Sequence, residues 1–191
     1  MSSTATGATT EASGDFSTAT GRASIASGGD STATGAFSEA SGDDSIATGS
    51  TARASALGSI AIGEDLDASG TGASSDAEGA IAIGGDAAAI SVNAVAIGRG
   101  AVASGSTAVG GNSQATGANS AAFGEDAAAT ADNSTALGEQ SVASAIDSTA
   151  TGQGSEASGN SGTALGQGAQ PRIPTRWRWA QARRPRRPTR W

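Results

Sequence analysis

From Gly7 to Gly49 a glycine stands at every seventh position: Gly7, Gly14, Gly21, Gly28, Gly35, Gly42 and Gly49. Each closes a five-residue unit, Ser-x-Ala-x-Gly with Thr10 in place of serine before Gly14, as in Ser3-Thr4-Ala5-Thr6-Gly7 and Ser45-Ile46-Ala47-Thr48-Gly49. The series runs to Gly166, with Ala56, Ala77, Ser91, Ala131 and Ala145 in the glycine slot and one interval, Gly105 to Gly110, two residues short. Of 24 units, 23 carry alanine in the central slot, and Ser75 is the exception. An internal repeat of this strictness governs every other reading of a chain. Recurrent Gly with β-branched Thr, Ile and Val disfavours helix and coiled coil. Five residues of period-two alternation closed by Gly and a polar pair predict a short strand and a turn. The pairs that follow the glycine include Asp43-Asp44, Glu64-Asp65, Glu125-Asp126 and Asp132-Asn133, all turn formers; Leu57, Val92 and Ile146 depart from the rule.

The units alternate in kind, so the full repeat spans two of them, as from Gly7 to Gly21. One class flanks its alanine with Thr or apolar residues (Thr18/Thr20, Ile60/Ile62, Ile81/Ile83, Val95/Ile97, Thr135/Leu137). The other is often polar there (Glu11/Ser13, Glu39/Ser41, Asp67/Ser69, Gln114/Thr116, Glu156/Ser158), although Ile25, Val102 and Val142 are apolar. The alternation shifts phase between Gly63 and Gly84, where Thr71–Gly79 is irregular. Strand side chains alternate faces, so alanine points one way and its flankers the other. Because both classes keep alanine, it is expected inside a thin coil with two closely approaching walls. Ala19, Ala47, Ala61, Ala96 and Ala136 are then buried, and Ser13, Ser41 and Ser69 exposed. Ile60, Ile62, Ile81, Ile83, Val95 and Ile97 should lie open in an isolated chain. The expected fold is all-β, a single-stranded parallel β-roll or β-solenoid of about twelve 14-residue coils. At about 4.8 Å per coil it makes a rod of about 55–60 Å. Alanine-sized burial at about 25 cal/mol per Å2 stabilises each coil weakly, so the apolar face calls for self-association.

The chain contains no His, Cys or Lys, which removes the imidazole base, the thiolate and the soft metal ligands, and leaves its many serines without a His or Lys partner. Asp43-Asp44 and Glu64-Asp65 read as solvated turn acids. No catalytic, cofactor-binding or metal-binding residue is assigned, no cofactor is expected, and the chain is not read as an enzyme. The lack of Cys leaves the compartment open. Residues 1–170 hold all 18 acids and three arginines, Arg22, Arg53 and Arg99; residues 171–191 hold eight arginines and no acid.

The repeated (Asn/Asp)-Ser-x-Ala-x-Gly unit resembles the YadA-like head repeats of trimeric autotransporter adhesins, also described as haemagglutinin-like repeats. Asp44–Gly49, Asn119–Gly124 and Asn133–Gly138 carry the likeness, and two dozen units in phase across residues 1–168 make it specific. The resemblance implies a left-handed roll, three chains about one axis, and display by a stalk on a Gram-negative outer membrane. It further implies a virulence-associated role in attachment to host cell-surface or matrix proteins, or to other bacteria. The self-association argument supplies neither the number three nor the handedness. Ser3 already stands in repeat register, so no signal peptide, stalk heptads or membrane strands are read, and the chain is expected to be a truncated fragment whose only route to a membrane is an anchor outside it. Candidate outward contacts are Glu11, Glu39, Asp67, Gln114 and Glu156, with Phe16 and Phe37 in turn slots as exposed anchors or packing residues. An ice-binding or other structural solenoid is the alternative, because Thr-Ala-Thr recurs at 4–6, 18–20, 32–34 and 149–151; Ile60/Ile62 and Ala121/Phe123 interrupt that plane. The calcium-binding nonapeptide is not repeated here.

Residues 169–191 form an Arg/Pro/Trp-rich tail expected to be disordered, whose Arg and Trp could otherwise suggest a membrane or nucleic-acid segment. Pro174-Thr175-Arg176-Trp177 returns as Pro188-Thr189-Arg190-Trp191, one full head period later. Read from the third codon base, Pro174–Ala180 can encode Asp-Ser-Val-Ala-Leu-Gly, with the glycine in step with Gly166. The tail is therefore read as a frame shift between about Gly168 and Pro174, with no nucleic-acid partner. The gene's nucleotide sequence is expected to continue the head repeat in the alternative frame; a frame without the repeat would overturn this reading.

Overall fold

A computed structural model of the chain describes residues 2–170; the expectation for the remainder of the tail lies outside the described residues. The chain winds into a parallel β-solenoid with two walls. Three-residue strands from Thr4–Thr6 to Thr163–Leu165 stack into a 12-stranded sheet, and two-residue strands from Glu11–Ala12 to Glu156–Ala157 stack into an 11-stranded sheet. Each strand pairs with the next of its own class, alanine on alanine: Ala19 on Ala33, Ala33 on Ala47, Ala26 on Ala40. The two classes in the sequence are thus the two walls.

The interior is built from alanine and serine. Ala19, Ala47, Ala61, Ala96 and Ala136 are all fully buried, as expected, and the serine that opens many of the units is buried beside them, Ser17, Ser31, Ser45 and Ser134 among others. Strand alternation puts the first, third and fifth residues of a unit on one face, so this serine must share the alanine's side. A buried hydroxyl needs a partner. Most find one locally: Ser17 Oγ donates to the Gly14 carbonyl at 2.7 Å, and Ser31, Ser113 and Ser155 make the same bond three residues back, whereas the hydroxyls of Ser45 and Ser120 have no partner.

Between the walls the chain turns in two residues, the second of which takes positive φ: 55° at Asp44, 56° at Asn133, and also 57° at Phe16 and 59° at Phe37. Left-handed backbone costs a non-glycine residue about 1–2 kcal/mol. Stacking offsets it, because the strained residue's N–H donates to a carbonyl one coil away, Phe37 to Arg22 at 2.9 Å and Asp44 to Gly29 at 2.8 Å. Glycine has a second reason for its slot. At Gly35, with φ of 130°, an added Cβ would lie 2.4 Å from the Gly49 carbonyl oxygen. All five replacements of the slot glycine (Ala56, Ala77, Ser91, Ala131, Ala145) fall after the two-residue strands, where φ is not positive. At Ala56 and Ala145 the N–H turns to the Oγ of the next unit's serine, at 3.2 and 3.3 Å.

Three expectations need correction. Asp67/Ser69 is not a strand: Ile60–Ile62 pairs with Ile81–Ile83 and Arg53–Ala54 with Ser74–Ser75, each three units on rather than two, so 64–72 leaves the solenoid as a loop. The walls keep their classes throughout, and the phase shift is only this seven-residue insertion; Ser75, within the stretch expected to be irregular, is buried in an alanine position and bonds the Ala80 carbonyl at 2.7 Å. Ser41 is half-buried, whereas Ser13 and Ser69 are exposed. Ile60, Ile81 and Val95 are half-buried, while Ile62, Ile83 and Ile97 are 37–38% exposed. The short interval is a 12-residue coil, in which Val95 pairs with Thr107 and Val102 with Gln114, and Ser106 Oγ donates to the Ser120 carbonyl.

Gly35→Ala should lower stability by about 3 kcal/mol or more, combining backbone strain with a carbonyl clash. Ala56→Gly should cost about 1 kcal/mol or less. Ala47→Leu should overpack the interior and erode the β signal. Urea unfolding followed by circular dichroism measures all three; a Gly35→Ala chain as stable as the parent would contradict the assignment.

Candidate binding faces and the extruded loop

The 12-stranded wall turns its flankers outward in register. Ile46, Ile60, Ile81 and Val95 form one column; Ile62, Ile83, Ile97, Val109, Phe123 and Leu137 form the next. Thr4, Thr18 and Thr32, with Thr6, Thr20 and Thr34, continue the columns at one end, and Thr149 and Thr151 follow at the other. A parallel ladder makes these neighbours about 4.8 Å apart, so the central stripe is a continuous apolar surface.

The 11-stranded wall is mixed. Glu11, Gln114 and Glu156 are exposed on it and Glu39 is half-buried, in one column but two or more coils apart. The structure does not gather these candidates into a site. Phe16 and Phe37 lie at opposite corners, since one follows a two-residue strand and the other a three-residue strand. Both are exposed, and the Arg22 guanidinium sits 4.6 Å from the centre of the Phe37 ring.

At the corners polar side chains stack from one coil to the next. Asn133 Nδ2 donates to Asp147 Oδ1 at 3.0 Å, Gln167 Nε2 to Gln153 Oε1 at 3.0 Å, and Gln153 Nε2 to Glu139 Oε2 at 3.2 Å. Of these residues the sequence points only to Asn133, as a turn former; the recurrence of polar side chains in the two turn slots was the available signal.

Asp67, expected on a wall, stands in the extruded loop, where its carboxylate comes within 4.8 Å of those of Asp65 and Asp86. These oxygens hold the loop's own backbone: Asp65 accepts from the Ser69 and Gly70 N–H groups at 3.2 and 2.7 Å, Asp67 from Ser69 at 2.8 Å, and Asp86 from Leu66 at 3.1 Å. The loop returns over the preceding coil, where the Gly72 N–H donates to the Thr51 carbonyl at 3.2 Å. Beside it lies an open groove of about 330 Å3, lined by Phe37, Glu39, Thr51, Ala52, Arg53, Gly70 and Thr71. Among the described residues no helix is long and apolar enough to cross a membrane.

Fold and surface together define a repetitive parallel β-solenoid with two stacked, chemically distinct faces. The family described as YadA head domain repeat (2 copies) matches residues 2–24, 19–50, 40–63, 89–113, 104–127, 115–141, 129–155 and 143–169. The chain belongs to that family. The unmatched stretch, 64–88, holds the extruded loop and the coil that receives it. A search of the curated proteins finds no match.

Ser69, through its hydroxyl and its backbone N–H, holds the Asp67 carboxyl below its ordinary value of 3.8. A depressed folded-state pKa means that this support for the loop is present above 3.8 and is lost as pH falls through the lowered value. A carbon-13 titration of Asp67 should give a midpoint below 3.8 that rises in Ser69→Ala; a midpoint at or above 3.8 in the parent would contradict the geometry.

Proposed function

We propose that the chain is the head of a trimeric surface adhesin, three copies meeting through the apolar stripe of the 12-stranded wall. The observation that carries this reading is the stripe itself, six residues from Ile62 to Leu137 in unbroken register on an otherwise acidic molecule. Contiguous apolar surface of this kind is an association surface or an aggregation hazard. Identical copies related by rotation can cover it with the same residues from each partner. Threonines flank the unbroken part of the stripe at both ends, and Leu165 follows Thr151 in the last coil.

The assembled head presents the same outer surface three times. Modest contacts to a host cell-surface or matrix protein, or to a neighbouring bacterium, gain about 10²–10⁴ from such multivalency. Membership of the YadA head family supports display at a cell surface, with the outer membrane of a Gram-negative bacterium as its site. Nothing in this reading asks the chain to do chemistry. The ice-binding alternative has less support, because the threonine columns give way to Ile46 and Ile60 after three coils.

Purified chain in sedimentation equilibrium should have three times the chain mass of 18.1 kDa. Ile83→Glu with Ile97→Glu should shift it toward one chain at micromolar concentration while the β signal remains. A parent that sediments as a single chain would sink the proposal.

A further inference from the structure

We propose that the groove beside the extruded loop binds a hydroxylated carboxylic acid of single-ring size, such as one acidic sugar residue. The site exists only because of the seven-residue insertion. Residues 64–72 swing out of the solenoid and return so that Gly70 and Thr71 line one groove with Phe37, Thr51 and Ala52. Glu39 and Arg53, register partners on adjacent two-residue strands, line the same groove.

The charge pattern selects the ligand. The described residues carry three arginines against 18 acids, and two of the three are at this corner, Arg53 in the groove and Arg22 over the Phe37 ring. A guanidinium fork receives a carboxylate through two parallel N–H bonds. The Thr71 hydroxyl lies at the same mouth as a further donor. Glu39 adds the opposite demand, for hydrogen-bond donors, which hydroxyl groups supply. Sulfate or phosphate has no such donors at full ionisation and is repelled by Glu39; a neutral sugar leaves Arg53 without its partner. The exposed part of the Phe37 ring takes the C–H face of a saturated ring. At about 330 Å3 the groove is at the small end of the range for ligand sites, about 300–1,000 Å3, which suits one ring.

This deepens the surface-binding reading and rests on it, because an acidic sugar is a group that a cell surface can present. An α-amino acid shares the pattern of carboxylate with neighbouring donors and serves as the discriminating arm. Full-length chain, in whatever oligomeric state it adopts, is titrated with glucuronate, glucose, sulfate and alanine by saturation-transfer difference NMR. Glucuronate is expected to saturate in the millimolar range, with glucose, sulfate and alanine at least tenfold weaker. Arg53→Gln should weaken glucuronate at least tenfold, with Arg53→Lys partly restoring it, and Phe37→Asn, which suits the positive φ while removing the ring, several-fold. Glu39→Gln should strengthen sulfate more than glucuronate. Arg99→Gln, outside the groove, should change nothing. Glucuronate binding no tighter than glucose or alanine, or unaltered in both Arg53 variants with intact β signal, would overturn the assignment. Loss of sugar binding in a chain that is still trimeric removes the groove alone, whereas a single chain that binds glucuronate removes the trimeric head and keeps the groove.

Discussion

The two walls of this solenoid approach so closely that only alanine and serine fit between them. Every other regularity follows from that distance. A larger side chain has no room inside, so the Ile, Val, Leu and Phe among the described residues stand on the outside, the reverse of an ordinary domain. Cohesion comes from the ladder of backbone hydrogen bonds, repeated once per coil, and from many short contacts between small groups at crystal-like density. The turns belong to the same lattice. Phe37 and Thr51 hold a backbone conformation that neither favours, and the stacked N–H bonds between coils keep them there.

That constraint explains what could be read from the sequence. The alternation of faces, the buried alanines and the two-wall coil were legible because interior width leaves no freedom at those positions. The extruded loop, read from the sequence as a wall unit, left its mark only in the slot that opens each unit and not in the alanine or glycine slots. Leu66-Asp67-Ala68-Ser69-Gly70 imitates a unit, with its alanine and glycine in place. Its first residue, however, would fall where Ser17, Ser31 or Ala52 is fully buried, and leucine cannot be accommodated there. The other 23 units open with Ser, Ala, Thr or Gly. The glycine slot carries a similar mark. Its five replacements fall in alternate units only, a difference in backbone conformation between the two corners that the sequence displays and simple periodicity conceals.

The outward positions were less legible for the same physical reason. Interior packing does not constrain them, so no rule of spacing says which of Glu11, Glu39, Gln114 or Glu156 meets a partner. The structure leaves these apart on one wall and sends Asp67 to another part of the surface. What sequence could not supply was juxtaposition across the insertion. Thr71 and Phe37 are far apart in the chain and meet only because one coil on the path between them carries three units instead of two.

Departures from the period are therefore where a repetitive rod acquires individuality. A regular coil repeats its neighbour's surface, and a ladder of identical coils offers only stripes. The short coil removes a corner at Gly105–Ser106, and the long coil adds one at 64–72, yet both return the chain to the same register. Register must survive, because a slip of one residue would turn the alanines outward and drive the flankers into a space that cannot hold them. The lattice thus tolerates insertions only at corners and only when alanine meets alanine again, which Ala82 does on Ala61 across the loop. Local surface can change while the stripe along the opposite wall stays continuous, and this separates lateral association from recognition in a molecule whose interior permits almost no variation.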